Sequence, residues 1–292
     1  MPSVTIDTHG CKLNQADSQT IAREFSRAGY FIAEKNTPAD IYILNTCTVT
    51  HVADKKARQT LRAARRRNPS ALIVATGCYV QRSMDEVASI KEVDLVLNNI
   101  DKDILVRTVT SRIAESANPC ATGDAQTNYQ PLDQIHQTRA MVKIQEGCDQ
   151  VCSYCIVPKV RGRERSTPLD SLIAQIKSLE DNGFREVVLT GTQLGTYGFD
   201  IPGDNLLSLL TTILEQTTVP RIRISSLQPQ WINDDLLDLW RNPRLCPHFH
   251  IPLQSGSNSV LKRMRRRYTS EDFATTSQLI RSRIPDVSIT TD

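Results

Sequence analysis

Short runs of apolar and β-branched residues alternate with helix-like segments along most of this chain, and this alternation constrains its fold most strongly. A strand followed by a helix, repeated, is typical of a parallel sheet covered by helices. In the N-terminal part we predict strands near 3–8, 40–45, 71–76 and 93–98, and helices near 15–29, 52–68, 82–90 and 101–116. The pattern therefore predicts an N-terminal parallel-sheet α/β domain.

A second alternation of the same kind begins at Arg139. The predicted strands are 139–145, 186–190, 220–225, 247–251 and 286–291, and the predicted helices are 168–183, 204–217, 233–241, 256–265 and 270–283. Five such units indicate an open or partial (β/α) barrel. The active site of a barrel is expected at the carboxyl ends of its strands.

The segment 118–138 separates the two alternations and is polar, with Pro, Gly, Asn and Asp, as is typical of a linker. We therefore predict an α/β protein with an N-terminal domain at 1–117, a linker at 118–138 and a partial barrel at 139–292. A length of 292 residues agrees with two domains.

Three of the eight cysteines follow predicted strands of the N-terminal domain, and each precedes a predicted helix: Cys11, Cys47 and Cys78. The carboxyl ends of parallel strands meet at one edge of a sheet, where ligands bind. These thiols are therefore expected to converge on a metal cluster. The alternative is that they are unrelated buried cysteines, since free cysteine is among the most buried residue types.

Three further cysteines follow the first predicted strand of the barrel in a C-x3-C-x2-C pattern: Cys148, Cys152 and Cys155. A structural zinc site needs four protein ligands. Three closely spaced thiols without a fourth instead favour an iron–sulfur cluster with one iron left open for a substrate or cofactor. Buried structural cysteines are the alternative. Cys120 and Cys246 show no comparable context and receive no role.

Basic residues are clustered although the net charge is only +3. Residues 51–70 carry seven Lys and Arg against one acid, and 159–165 and 262–267 are also basic. Such clusters are typical of a nucleic-acid binder, but solvated helix faces look the same in a sequence. The sequence has neither a run of about 18–20 apolar residues nor a signal peptide, so a cytoplasmic location is expected.

Seven segments of the chain resemble the radical SAM methylthiotransferases. In the N-terminal domain they are THGCKLNQADS, ILNTCTVTHVADKKARQTLR and ATGCYVQ. In the barrel they are GCDQVCSYCIVPKVRGRERS, LTGTQLGTYG, RIRISSLQP and HFHIPLQSGSNSVLKRMRRRYT. The resemblance covers essentially the whole chain. The segments GCKLNQ, NTCTVT and RRRYT are most similar to the branch that modifies threonylcarbamoyladenosine in tRNA.

The resemblance implies that Cys148, Cys152 and Cys155 hold a 4Fe–4S cluster at whose open iron S-adenosylmethionine binds. It implies that Cys11, Cys47 and Cys78 hold a second 4Fe–4S cluster that supplies or relays sulfur. The reaction would insert a methylthio group at carbon 2 of the modified adenine next to the anticodon. The partners implied are tRNA and an electron donor. The cofactors carry the chemistry, so no side chain is assigned as catalytic.

Further site residues follow with less support from the resemblance. Tyr154, Gly191, Gln193 and Ser225 are expected to contact S-adenosylmethionine. The alternatives are that Tyr154 fills the mouth of the barrel and that Gly191 is a plain turn residue. Thr190, Gly195, Ser226, His250 and Gln254 are weaker candidates at predicted strand ends and turns. Arg161, Arg163 and Arg165 suit either phosphate contacts or a salt-bridged rim of the barrel.

The chain departs from the family pattern at its end and in one motif. Family members usually continue past Asp292 with further barrel strands and a TRAM module, so the sequence is expected to be a truncated member. Gln228 stands where glutamate is common. Methylthiotransferases acting on isopentenyladenosine in tRNA or on a ribosomal protein are alternatives. A non-catalytic, metal-dependent RNA-binding protein is an alternative of another class.

Overall fold

The computed structural model describes residues 1–35, 37–116 and 138–292. The chain divides into two compact units, Met1–His136 and Gln137–Asp292. Nearly all of the predicted linker, including Cys120, lies outside the described residues. Within the described part of the chain, no helix has the length and apolar character needed to cross a membrane.

The first unit is a parallel sheet in the order β2-β1-β3-β4-β5. Its strands are β1 (Ser3–Thr8), β2 (Phe31–Ile32), β3 (Ile41–Thr46), β4 (Leu72–Gly77) and β5 (Leu95–Val96). Its helices are α1 (Lys12–Arg27), α2 (His51–Arg67), α3 (Cys78–Arg82), α4 (Met84–Ala88) and α5 (Leu105–Ser116), with a 3-10 turn at Ile100–Ile104.

Apolar side chains on both faces of this sheet form its core. Every residue of β3 is buried, as expected for a central strand of a sheet covered on both sides. On one face Leu61 and Tyr79 belong to a buried cluster, and on the other Phe25 and Leu105 do. This packing fixes the strand ends at which the first three cysteines lie.

The second unit consists of strands and helices that alternate. Its strands are β6 (Arg139–Lys143), β7 (Gln145–Glu146), β8 (Arg165–Ser166), β9 (Glu186–Thr190), β10 (Arg221–Ile224), β11 (His248–His250) and β12 (Ser288–Thr290). Its helices are α6 (Val157–Arg161), α7 (Leu169–Asp181), α8 (Leu206–Gln216), α9 (Asp234–Asp238), α10 (Asn258–Arg263) and α11 (Ser270–Arg283). Short 3-10 turns lie at Leu194–Thr196, Pro229–Trp231 and Leu239–Arg241.

The main strands of this unit run parallel and follow one another in chain order. A three-stranded sheet has the order β10-β9-β6, and β11 pairs with β12. Isolated parallel bridges, Ile222 to Leu245 and Ser226 to His250, connect the β10 edge to the segment of β11. The arrangement is an open (β/α) barrel, and the prediction of an α/β fold is confirmed.

The structure differs from the predicted elements in a few short segments. The helix predicted at 82–90 is two helices, α3 and α4, because the backbone of Ser83 leaves the helical region. The hairpin of β7 and β8 was not predicted, since two-residue strands carry no periodicity. The helix α6, five residues long, was missed for the same reason.

Candidate functional site

The cysteines of the first unit lie at strand-to-helix turns on one edge of the sheet. Cys11 is the N-cap of α1, Cys47 follows β3, and Cys78 opens α3. Because β1, β3 and β4 are adjacent and parallel, the structure brings these three residues together. The thiols of Cys78 and Cys11 both lie near enough to Cys47 to act on it electrostatically. We call these three cysteines the first triad.

Gly10 keeps space open beside the first triad. Its φ is +100°, a conformation that favours glycine. A Cβ at this position would lie 2.8 Å from the sulfur of Cys47. Any larger residue would therefore move Cys47 or the loop before α1.

Asn14 fixes the strand ends around the first triad. It is fully buried, and its Nδ2 donates to the carbonyl of His9 at 2.7 Å and to that of Thr46 at 2.9 Å. Its Oδ1 lies 3.9 Å from the sulfur of Cys78. Sequence reasoning missed this residue. The signal that could have found it is an amide placed three residues after Cys11, on the buried face of α1.

Backbone N–H donors beside Cys47 favour a metal-bound thiolate, although burial opposes the charged form. Burial raises the pKa of the Cys47 thiol, while the backbone N–H groups of Val49 and Thr48 donate to its sulfur. Hydrogen bonds to cysteine sulfur are a common feature of iron–sulfur sites. Cys11 also sits at the positive end of the α1 dipole, which favours negative charge.

The second triad, Cys148, Cys152 and Cys155, lies in the loop between β7 and α6, residues 147–156, which we call the cysteine loop. All three side chains are half-buried. Burial, with smaller contributions from Glu164 and the neighbouring thiols, raises the pKa of Cys148 to about 11. The backbone N–H of Gln150 points at the Cys148 sulfur, 3.4 Å away. The structure therefore also brings this triad together.

A glycine and a glutamine hold the cysteine loop in place. Gly147 has φ +76°, and a Cβ there would lie 1.9 Å from the carbonyl oxygen of Arg163. The fully buried Gln145 donates from Nε2 to the carbonyl of Gly147 at 3.0 Å. Its Oε1 accepts from the N–H groups of Thr192 and Gln193, at 3.0 and 2.9 Å. Gln145 was not predicted, although an amide in an apolar strand before the first cysteine is an available signal.

The predicted cofactor residues occupy loops at the carboxyl ends of the strands. A Cβ on Gly191 would lie 2.9 Å from the carbonyl oxygen of Gln145, so this glycine allows a close approach to the start of the cysteine loop. Gln193 is buried, and its Nε2 has no hydrogen-bond partner in the described residues. Ser225 is buried after β10, with its N–H bonded to the carbonyl of Leu189. Tyr154 is about half exposed, within the cysteine loop.

The three arginines after the cysteine loop are engaged in ion pairs. Arg161 and Arg165 both contact Glu146, at 3.5 and 2.5 Å, and Arg163 contacts Asp149 at 3.0 Å. Of the two roles expected for them, these contacts match the salt-bridged rim.

Two of the weaker candidates pair with the end of the described chain. Nδ1 of His250 lies 3.1 Å from the hydroxyl of Thr290, and Nε2 of Gln254 donates to Asp292 at 3.0 Å. Packing explains why a glycine stands at position 195, because a Cβ on Gly195 would lie 2.1 Å from the indole of Trp231. These contacts account for the three residues without a cofactor.

The basic helix α2 uses several of its arginines within its own unit. Arg58 pairs with Glu86 at 2.8 Å, and Arg65 donates to the carbonyls of Pro69 and Ala71. The side chains of Lys55, Lys56 and Arg66 remain exposed. The charge cluster seen in the sequence is therefore partly structural.

The donor sets have the chemistry that an iron–sulfur cluster needs. Within residues 1–35, 37–116 and 138–292, no three His, Cys, Asp or Glu side chains are arranged to hold one metal ion. Thiolates of an iron–sulfur cluster bind different iron atoms, so they stand farther apart than ligands of one ion. Three thiols in each triad, with N–H donors at Cys47 and Cys148 and space kept by Gly10 at the first triad, fit such a cluster.

Comparisons with known proteins match both units. Residues 3–98 match the Uncharacterized protein family UPF0004, and residues 142–292 match the Radical SAM superfamily. The fold resembles the radical S-adenosylmethionine methyltransferase TsrM from Kitasatospora setae, with a TM-score of 0.67 and 13% identity. That alignment covers 100% of this chain and 67% of TsrM, and it concerns the fold alone.

Curated relatives are similar along the whole chain. The threonylcarbamoyladenosine tRNA methylthiotransferases MtaB of Aquifex aeolicus and Bacillus subtilis are 39% and 40% identical. These alignments cover 99% and 100% of this chain, and 72% and 66% of the relatives. The tRNA-2-methylthio-N(6)-dimethylallyladenosine synthase of Methylacidiphilum infernorum is 35% identical over 100% of this chain and 66% of its own length.

The two family matches and the similarity to curated relatives along this whole chain indicate the same protein family. Radical SAM enzymes use S-adenosylmethionine and a 4Fe–4S cluster, and methylthiotransferases carry a second cluster. They are transferases, which agrees with the expectation from the sequence motifs. The chain belongs to the radical SAM methylthiotransferase family.

Proposed function

We propose that this chain modifies tRNA by inserting a methylthio group at carbon 2 of threonylcarbamoyladenosine next to the anticodon. The observation that carries the proposal is the pair of cysteine triads, one in each unit, within a chain 39–40% identical to relatives named for this reaction. The segments GCKLNQ and NTCTVT, which surround Cys11 and Cys47, support the same branch.

We propose that each triad holds one 4Fe–4S cluster. The thiols of Cys148, Cys152 and Cys155 would bind three irons of the first cluster, and Cys11, Cys47 and Cys78 would bind the second. When bound, the clusters and S-adenosylmethionine supply the electron, the hydrogen abstraction at carbon 2, the sulfur and the methyl group. A one-electron donor is the second partner implied.

The chain's own residues position these groups and keep water out. Gln145 ties the cysteine loop to the backbone of Thr192 and Gln193, so it fixes the loop relative to the expected cofactor residues. Gly191 allows this close approach. Tyr154, Gly191, Gln193 and Ser225 are proposed to contact S-adenosylmethionine. In the first unit, Asn14 holds the turns that present the first triad.

The substrate can be tested with the reconstituted protein. Transfer RNA carrying threonylcarbamoyladenosine, and a second tRNA carrying isopentenyladenosine, are incubated with S-adenosylmethionine, sulfide and a reductant under anaerobic conditions. Nucleosides are then analysed by mass spectrometry. We expect the methylthio product from the first tRNA only, and none with the variant Cys152→Ala.

The other tRNA branch is the outcome that contradicts the substrate assignment. The 35% identity to the dimethylallyladenosine synthase of Methylacidiphilum infernorum makes it the relevant comparison. Methylthiolation of the tRNA carrying isopentenyladenosine alone would assign the chain to the dimethylallyladenosine branch. The proposed methylthiolation of tRNA and the two proposed clusters would still hold.

A further inference from the structure

Helix α10 ends against the cysteine loop. Its terminal carbonyls accept hydrogen bonds from Ser153, whose N–H donates to Met264 at 3.1 Å and whose hydroxyl donates to Arg263 at 2.9 Å. Arg265 has φ +58°, and the N–H of Arg266 reaches back to the carbonyl of Leu261. These features form a Schellman-type helix end, in which the residue at positive φ is usually glycine. The turn directs Arg266 toward the second triad.

The guanidinium of Arg266 lies beside a cysteine of the second triad. Its Nη1 is 3.5 Å from the sulfur of Cys152 and 3.4 Å from the hydroxyl of Tyr154. Its Nε donates to the hydroxyl of Tyr268 at 3.0 Å, and its central guanidinium carbon, Cζ, lies 4.8 Å from the centre of the Tyr268 ring. Tyr268 is buried and donates to the carbonyl of Pro252 at 2.6 Å. The guanidinium is therefore anchored on one side and directed at a sulfur on the other.

Arg266 differs from the arginines that follow the cysteine loop. Arg161, Arg163 and Arg165 form ion pairs with carboxylates. Among the described residues, the guanidinium of Arg266 instead contacts Tyr154, Tyr268 and Cys152. Its Nη2 is buried and has no hydrogen-bond partner there. A guanidinium stays charged at any ordinary pH. A full positive charge without a carboxylate thus lies next to a proposed cluster ligand.

We propose that Arg266 is a positioning residue that raises the reduction potential of the cluster held by the second triad, by donating an N–H bond to the sulfur of Cys152. One-electron reduction adds negative charge to a cluster, and hydrogen bonds to its sulfurs and its electrostatic surroundings set the potential. A nearby cation therefore favours the reduced form. The inference rests on the proposed function, since it requires a cluster at this triad.

The test measures the potential of this cluster in the full chain. Iron and sulfide are determined first, and the loaded protein is then titrated with a reductant while electron paramagnetic resonance spectra are recorded. The signal that changes when S-adenosylmethionine is added identifies the cluster of the second triad. The variants are Arg266→Gln and Arg266→Lys, with Arg267→Gln as the control that removes an exposed charge from the next position.

We expect Arg266→Gln to lower the midpoint potential by about 59 mV, which is a tenfold smaller equilibrium constant for one-electron reduction. Arg266→Lys should fall between this value and the wild type, because it keeps the charge but loses the planar guanidinium. Arg267→Gln should leave the potential unchanged. Equal potentials for Arg266→Gln and Arg267→Gln would overturn the inference.

Two further results have a defined meaning. If Arg266→Gln binds no cluster, the midpoint potential of Arg266→Lys is the deciding measurement. A potential of Arg266→Lys equal to that of the wild type would then overturn the inference. If the wild type itself binds no iron, the proposed function fails rather than the role of Arg266 alone. If wild type and Arg266 variants bind the cluster but have the same midpoint potential, only the role of Arg266 is contradicted.

Discussion

Two glycines near the cysteine loop both have a positive φ but differ in their surroundings. Gly147 has φ +76° and Gly162 has φ +73°. A Cβ on Gly147 would lie 1.9 Å from the carbonyl oxygen of Arg163, whereas a Cβ on Gly162 would meet nothing within 4 Å. The pair separates the cost of the backbone conformation from the cost of a steric clash.

We predict that Gly147→Ala loses the cluster of the second triad while Gly162→Ala keeps it. Both variants bear the cost of about 1–3 kcal/mol for an L-residue in a backbone conformation that favours glycine. Only Gly147→Ala also displaces Cys148, because the clash is with backbone that cannot rotate away. Iron per chain after anaerobic reconstitution is the measurement. Equal iron content in the two variants would show that the close approach at Gly147 is not needed.

At this scale the sequence predicted that the cysteines of the first triad lie close together, but it did not predict the residues around them. The first triad was predictable because each cysteine follows an apolar run, and parallel strands end at one edge. Asn14, Gln145 and Arg266 were not predicted, because their partners lie on segments distant in the chain. The contact of Arg266 with Cys152, for example, joins residues 114 positions apart.

At the scale of elements, a charge cluster joins the starts of three strands. Glu186 opens β9 and is buried, and it accepts from Arg139 of β6 and from Arg221 and Arg223 of β10. The three distances are 2.9, 3.0 and 2.9 Å. Burial alone would raise the pKa of this carboxyl, but the hydrogen bonds from Arg223 and Arg221 outweigh burial and lower it.

We predict that Glu186→Gln destabilises the chain by about 1–3 kcal/mol at neutral pH, since the largely buried Arg223 and two partly exposed arginines lose a charged acceptor. A carboxyl whose pKa is lowered by folding stabilises the folded state above its unfolded pKa of about 4.3. That contribution is lost as the pH falls through the folded value. The difference in urea unfolding free energy between wild type and variant should therefore shrink below about pH 4.3.

Glu215→Gln is the control for this prediction, because Glu215 is an exposed glutamate on α8. It should change the unfolding free energy little at any pH. A Glu186→Gln effect that stays constant between neutral and acidic pH would show that the loss comes from packing and not from the carboxylate charge.

The regular elements were predictable and the short ones were not. Strands such as β1 and β9 have the predicted bounds because runs of apolar residues mark them. The helix α11 also has its predicted bounds, and a capping box formed by Thr269 and Asp272 marks its start. The hairpin of β7 and β8 forms because the cysteine loop folds back between its strands. That is a tertiary effect, and a window of two residues cannot show it.

For the whole molecule, the central feature is a cysteine triad in each unit. The first triad gathers cysteines from three turns at the carboxyl ends of adjacent parallel strands. The second triad comes from a single loop that follows β7, a strand of an antiparallel hairpin. The chain spans 66% to 72% of the length of the first relatives. Within that span, both family matches and all six assigned cysteines are present.

The most direct test of this account is the iron and acid-labile sulfide per chain after anaerobic reconstitution of the wild type, Cys47→Ala and Cys152→Ala. Two 4Fe–4S clusters predict about eight iron atoms in the wild type and about four in each variant. About four iron atoms in the wild type would mean that one triad holds no cluster. Zinc without sulfide would contradict the account and favour a non-catalytic, metal-dependent RNA-binding protein.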